Sequence, residues 1–152
     1  MNLFNEFGIS FEYPADWELS KEVDETNGEI QVGVSGEDSS FWLISLFFVE
    51  IPAEELLEQS VKVFRDEYSE LDIYEVKTTL AGKECQGCDI EFVCSELINS
   101  AYLRVFKTEL FTAFVLYQGT DQDLKTTLKD LESISTSLAC FDNDFEGYLN
   151  IV

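Results

Sequence analysis

Apolar residues are nearly continuous over residues 41–49, where both alternating sets of positions carry aromatic or branched side chains. A strand with this pattern is covered on both faces, so the run predicts a central strand. Pro52 follows with a fixed φ and no N–H to donate, and Glu54 and Glu55 place negative charge in the next turn. These features suit the first turn of a helix, which we expect to begin here.

Two stretches carry apolar residues at helical spacing and are predicted to be helices packed on a sheet. The first stripe consists of Leu57, Val61, Phe64, Tyr68 and Leu71. The second consists of Leu124, Leu128, Leu131, Ile134 and Leu138. Thr120 is the predicted N-cap of the second helix, with Asp123 at the third position of a capping box. Burial of each large apolar side chain contributes about 2 kcal/mol, which outweighs the charges on the solvent side.

In the N-terminal part, residues 7–13 alternate apolar and polar side chains, which predicts a half-buried strand closed by Pro14. Trp17 continues the same face. Residues 21–28 are charged and are predicted to be a loop. Residues 30–34 alternate again and predict a further strand.

After the first helix, four segments have the composition of strands, namely residues 73–80, 84–97, 101–108 and 110–118. Short turns are expected at Asn99-Ser100 and at Thr108-Glu109, and they make the last three segments antiparallel neighbours. The element order is strands, helix, strands, helix. It predicts an α+β fold in which an antiparallel sheet is flanked by helices.

The chain has 152 residues, 31 of them acidic and nine basic, and a formal net charge of −22. This length predicts a single domain over residues 1–138, followed by an acidic and aromatic tail at residues 139–152. Such a charge repels phosphate backbones and anionic lipid, so we expect no nucleic acid or membrane partner. A protein with a basic or apolar surface is the expected partner.

Histidine is absent from the chain. The absence excludes Ser-His-Asp and Cys-His catalysis and His-ligated zinc, and it removes the most common general base. The first residues carry neither the basic charge nor the apolar core of a signal peptide. We therefore expect a cytoplasmic protein with reduced cysteines and no cofactor.

Three segments resemble the PsbP-like superfamily: residues 11–17 (FEYPADW), residues 80–82 (LAG) before a long strand, and residues 134–138 (ISTSL) in the last helix. This group includes the Mog-type Ran-binding proteins, the DcrB-like proteins and the Eag chaperones of type VI secretion. The resemblance covers about residues 7–138. It implies an antiparallel sheet flanked by helices, and a binding role rather than catalysis.

Within that superfamily, PsbP proper and the DcrB-like lipoproteins carry targeting segments that this sequence lacks. Eag chaperones are small, cytoplasmic and often dimeric, and they shield apolar segments of toxins before export. The resemblance therefore favours a non-enzymatic protein-binding domain or adaptor, with an Eag-like effector chaperone as the specific hypothesis and a homodimer as an expected assembly. No motif matches closely enough to transfer functional residues.

Cys85 and Cys88 have the spacing of a zinc-binding or redox pair. A structural zinc site needs four ligands, and only Cys94 and Cys140 remain to supply them. If Cys88 and Cys94 share the inward face of one strand with the apolar residues between them, these thiols are small core residues instead. The pattern favours the core interpretation.

The tail contains two overlapping patterns. Asp142, Asp144 and Glu146 precede a glycine as in the opening of an EF-hand loop, although the glutamate expected at position 12 would fall beyond Val152. The apolar residues of the tail are the candidate partner-binding set, Phe141, Phe145, Tyr148, Leu149 and Ile151. They are expected to dock on a partner, on a second copy or on the protein's own sheet, and the last alternative is favoured.

For an enzyme, the remaining candidates are carboxylate pairs such as Asp89 and Glu91, which are two residues apart on one face of a strand. In so acidic a chain such pairs arise by chance, so we expect no catalysis. A carboxylate-based enzyme or a calcium-dependent module is the alternative to the protein-binding hypothesis.

Overall fold

The structure is a computed structural model that describes residues 1–141, which form ten strands and two helices. The strands are β1 (Asn2–Glu6), β2 (Ile9–Tyr13), β3 (Glu18–Asp24), β4 (Glu29–Ser35), β5 (Phe41–Phe47), β6 (Leu71–Leu80), β7 (Lys83–Cys94), β8 (Leu97–Lys107), β9 (Thr112–Thr120) and β10 (Ala139–Cys140). The helices are α1 (Ala53–Glu67) and α2 (Asp121–Ser137). The predicted α+β class is confirmed.

Seven antiparallel strands form the large sheet, in the order β3-β4-β5-β9-β8-β7-β6. β5 lies inside the sheet between β4 and β9, as its apolar run predicted. Trp42, Ile44 and Leu46 on one face of β5 are fully buried, whereas Phe41 and Leu43 on the other face are only half-buried. The difference arises because the two helices cover different parts of the sheet.

The helices lie on opposite faces of the large sheet. α1 packs on the face that carries Ile90 and Leu103, mainly over β8 and also over β7 and β9. α2 packs on the face that carries Trp42, together with a separate sheet in the order β1-β2-β10. We call these the α1 face and the α2 face. Each has its own apolar core, because a sheet buried on both sides needs a layer on each side.

The small sheet was not predicted as a separate unit. β1 begins at Asn2, ahead of the expected strand, and pairs with β2 through a two-residue turn at Phe7-Gly8. Both turn residues have positive φ, 60° and 81°, as a type I′ hairpin requires. The strand predicted over residues 7–13 is confirmed as β2 with its alternating burial, but it begins at Ile9, since Phe7 lies in the turn.

Two further differences concern strand ends. The turn between β7 and β8 is at Ser95-Glu96, with φ of 52° and 67°, and not at Asn99-Ser100. Asn99 has a turn-like side chain, but it is buried in β8 and its amide donates to the carbonyl of Leu97. β3 extends to Asp24 through the predicted loop, because an edge strand exposed on both faces shows no alternating pattern.

Both helices form where the sequence predicted them, with differences at their ends. Pro52 is the N-cap of α1 rather than a residue of its first turn, and Tyr68 ends the helix. In α2 the hydroxyl of Thr120 accepts from Asp123 N at 3.2 Å, as expected. The carboxylate of Asp123 accepts from Ser39 rather than closing a capping box, so this N-terminus is tied to the loop before β5.

Candidate functional site: a groove beside helix α1

A groove of about 1090 Å³ lies on the α1 face, between α1 and the strands β6 and β7. Its apolar lining includes Leu57 and Val61 from the helix, Ile73 from β6 and Cys88 from β7. The groove exists because α1 packs mainly over β8 and leaves the β6 side of the sheet open. The apolar stripe predicted for α1 is therefore shared between the core and the groove.

Aromatic rings fix the position of α1 against β7. The Phe64 ring lies 5.4 Å from the Phe92 ring, edge to face, and the Tyr68 ring lies 4.4 Å from the Phe92 ring. Contacts between aromatic rings stabilise the folded state beyond the contribution of burying their apolar area. They hold the C-terminal half of the helix on the sheet beside the groove.

The groove is close to electrically neutral in a strongly acidic protein. Three of the nine basic residues of the chain line it, Lys62, Arg65 and Lys77. Four acidic residues also line it, Glu54, Glu58, Glu75 and Glu84. The formal charge of the lining is therefore −1, against −22 for the whole chain. A segment that carries some negative charge meets less repulsion here than at the acidic surface elsewhere.

The two cysteines at metal-like spacing point to opposite faces of the sheet. Residues three apart in a strand have opposite parity, so Cys85 belongs to the α2-side core and Cys88 to the α1-side core. Burial raises the pKa of the Cys85 thiol and raises that of Cys88 to about 11. The core interpretation is therefore confirmed for Cys88, and Cys85 is buried as well. It is wrong for Cys94, which was expected on the inward face and is exposed.

An ion pair on the α2 face was not predicted. Arg104 Nη1 lies 2.8 Å from Asp89 Oδ1, and its side chain is 9% exposed. The same nitrogen donates to the carbonyls of Cys88 and Leu103, at 3.3 and 3.0 Å. Gly87, opposite Arg104 in the ladder, leaves the space in which the guanidinium lies, since a Cβ there would contact the arginine side chain. A glycine inside a strand was the available signal of such a close approach.

The ion pair adjoins two stacked tyrosine rings. Tyr102 and Tyr117 lie directly opposite each other on β8 and β9, with centroids 4.8 Å apart and planes inclined by 13°. Burial raises the pKa of Tyr117 to about 12. Its ring packs as part of the core.

The carboxylate pair considered for catalysis is not assembled into a site. Asp89 and Glu91 share the α2 face, as predicted, but Asp89 is paired with Arg104 and Glu91 is exposed. Neither residue lines the groove beside α1. The aromatic residues Phe106 and Phe111 are buried in the core.

Of the tail residues singled out from the sequence, the structure describes only Phe141. Its N–H donates to the carbonyl of Gly8 at 2.8 Å, and its side chain is 39% exposed. Strand pairing continues past residue 138, since β10 pairs with β2. The remaining candidates lie outside the described residues: Asp142, Asp144, Phe145, Glu146, Tyr148, Leu149 and Ile151.

Neither a membrane-spanning helix nor a cluster of metal ligands occurs among the described residues. Within residues 1–141, no helix has both the length and the apolar character needed to cross a membrane. The same part of the chain contains no cluster of three or more His, Cys, Asp or Glu side chains able to hold a metal ion.

No protein-family model and no curated protein matches the sequence. Several solved structures resemble this one. LpqN of Mycobacterium tuberculosis, involved in cell envelope biogenesis, has a TM-score of 0.54 and 12% identity over 88% of this chain and 83% of its own. A Pseudomonas aeruginosa protein of unknown function, a putative regulator, has a TM-score of 0.54 and 11% identity over 90% of this chain and 94% of its own.

The PsbP of the cyanobacterium Synechocystis has a TM-score of 0.58 and 12% identity, with 92% of each chain covered. Identities this low establish a shared fold and no more. The match covers nearly the whole chain, as the resemblance noted in the sequence implied. The protein therefore has a PsbP-like α+β fold.

Proposed function

We propose that this protein is a non-enzymatic protein-binding domain whose groove beside α1 receives an apolar segment of another protein. The observation that carries the proposal is the groove itself, whose lining combines a strip of apolar side chains with charged and polar groups of near-neutral total charge in an acidic chain. Its volume is at or above the upper end of the range for small-molecule pockets, about 300–1,000 Å³. A peptide segment with several side chains fits that volume better than a single small ligand.

The more specific form of the proposal is a chaperone of the Eag kind, which shields an apolar segment of a type VI secretion effector. Two observations support it: the PsbP-like fold and a groove with apolar side chains in its lining beside an exposed helix. Desolvation of an apolar side chain in such a groove contributes about 25 cal/mol per Å² of apolar area removed from water. Acidic surroundings disfavour nucleic acid and anionic lipid as competing occupants.

The test is a matched pair of valine substitutions on α1. Val61 lines the groove, whereas Val63 is 60% exposed and does not. Val61→Glu introduces a charge into the apolar lining, so a segment that depends on this lining loses at least about tenfold in affinity. Val63→Glu makes the same chemical change outside the groove and leaves binding unchanged.

Wild-type and variant proteins are used to capture partners from a lysate of the source organism, and the recovered proteins are identified by mass spectrometry. The proposal requires a partner that wild type and Val63→Glu retain and that Val61→Glu loses. Circular dichroism and thermal unfolding show whether Val61→Glu is folded. Equal recovery by both variants would exclude the groove as the binding site.

A chain that ends at Phe141 separates the groove from the tail. Loss of the partner on this truncation, with full retention by Val61→Glu, would assign binding to the tail residues instead. The alternative of a calcium-dependent module is tested on the full chain by thermal unfolding with added calcium. A ligand that binds the folded state raises the unfolding temperature, and saturation at 100 times the dissociation constant adds about 2.7 kcal/mol.

A further inference from the structure

Strand β6 is the terminal strand of the large sheet, and among residues 1–141 no strand pairs with its outer edge. It is ten residues long and pairs along its whole length with β7. Its outer edge therefore presents a row of backbone donors and acceptors. Such an edge is a template for a further strand unless it is protected.

The register identifies which residues of β6 direct their backbone groups outward. Val93 N donates to the carbonyl of Glu70 at 3.1 Å, so Glu70 faces β7. Alternate residues of an antiparallel strand face opposite neighbours, which assigns the even-numbered positions of β6 to β7. The tight turn between Leu80 and Lys83 agrees with this assignment. The outward-facing residues are Leu71, Ile73, Glu75, Lys77 and Thr79.

We propose that a second copy of this chain adds antiparallel to the outer edge of β6, with the two-fold axis at Val76. In that register Glu75 of each copy lies opposite Lys77 of the partner subunit, and Ile73 lies opposite Thr79 of the partner subunit. All four residues direct their backbone groups outward, so each pair exchanges both of its hydrogen bonds. The result is one continuous sheet with both α1 helices on the same face.

The charges on the edge select this register and this occupant. A shift of the axis to Glu75 places two glutamates opposite each other, and a shift to Lys77 does the same with two lysines, which is destabilising. With the axis at Val76, both charged positions meet the opposite charge, and a C2 interface is self-complementary in this way. Lys77 forms no ion pair among the described residues that would compete with this contact.

This assembly does not depend on what occupies the groove. Glu75 and Lys77 also line it, so the two grooves become neighbours across the axis in the dimer. The oligomeric state is measured on the isolated protein, without any partner. Failure of the dimer proposal is therefore distinguishable from failure of the proposed function.

The first test is a charge exchange measured by sedimentation equilibrium. Glu75→Lys alone and Lys77→Glu alone each replace two attractive pairs with two repulsive ones, and each weakens the dimer at least about tenfold. The double variant Glu75→Lys/Lys77→Glu restores the pairs with the charges exchanged, and dimerises like wild type. An equimolar mixture of the two single variants also dimerises. In the mixed dimer the lysines of the Glu75→Lys protein lie opposite the glutamates of the Lys77→Glu protein.

Lys129→Glu on the exposed surface of α2 is the control for net charge, since it changes the total by the same amount as Lys77→Glu. It leaves the dimer intact at about 0.15 M salt, where charges beyond about 8 Å are screened. A wild-type protein that stays monomeric at all concentrations overturns the proposal. The proposal is also overturned if Glu75→Lys and Lys77→Glu each dimerise as tightly as Lys129→Glu.

The second test requires no weakened variant. At the two-fold axis Val76 lies opposite Val76 of the partner subunit in a non-hydrogen-bonded pair, with Cα atoms about 4.5 Å apart. That separation lies within the range for a disulfide. Val76→Cys, in a background without Cys94 and Cys140, is expected to form a covalent dimer when oxidised glutathione is added. Tyr74→Cys is the control; equal cross-linking by both variants, or none by Val76→Cys, contradicts the register.

Discussion

The ion pair between Arg104 and Asp89 makes the sharpest stability prediction. The charged atoms are 2.8 Å apart, which corresponds to a Coulomb attraction of about 6 kcal/mol at an effective dielectric constant of 20. Desolvation of the guanidinium offsets much of it, and the Asp89 side chain is 35% exposed, so solvent screens the pair further. We therefore expect a net coupling free energy of about 1–2 kcal/mol.

The prediction is tested with a double-mutant cycle of Asp89→Asn and Arg104→Met. Asp89→Asn leaves a buried cation against two carbonyls with no anion, and costs about 2 kcal/mol of unfolding free energy. Arg104→Met removes the charge but keeps an apolar stem, and costs about 1 kcal/mol. The double variant should cost less than the sum of the two single changes by the coupling free energy.

The assay is urea unfolding followed by tryptophan fluorescence at neutral pH. The exposed pair Lys62–Asp66, also 2.8 Å apart, is the control, and the same cycle there should give about 0.5 kcal/mol or less. Additivity of Asp89→Asn and Arg104→Met within about 0.3 kcal/mol would refute the reasoning, because it would mean that burial does not strengthen this pair.

Three further predictions follow from buried or exposed single groups. Ser135→Ala removes the acceptor of the buried Trp42 indole N–H, at 2.9 Å, and should lower the unfolding free energy by about 1–3 kcal/mol, whereas Ser60→Ala should have little effect. Burial and the charges of Asp24 and Glu22 raise the pKa of Glu29, so its ionisation favours the unfolded state. Glu29→Gln should therefore stabilise the protein at pH 7 by up to about 0.5 kcal/mol, with the gain vanishing well below pH 4.5; an equal gain at all pH values would contradict this cause. Iodoacetamide should label the exposed Cys94 before the buried Cys85 and Cys88, whose thiol pKa values are raised; peptide mapping that shows equal rates would contradict the burial.

Local patterns were sufficient for much of this fold. The apolar run at residues 41–49, the two helical stripes and the Thr120 cap predicted β5, α1 and α2, because each depends on side chains close in sequence. They failed where the local signal was weak. Ser95-Glu96 is an atypical pair for a type I′ turn, and the edge strand β3 has no buried face to impose an alternation.

The sequence alone determined the α+β class, an acidic surface and the absence of histidine chemistry, since these depend on composition and periodicity. Only the tertiary structure decided which faces the helices cover, and hence where a groove remains beside α1. It also decided that Cys85 and Cys88 lie in different cores, that Arg104 meets Asp89, and that β6 is an edge. These properties depend on strand order and on packing between residues far apart in the chain, which no local pattern specifies.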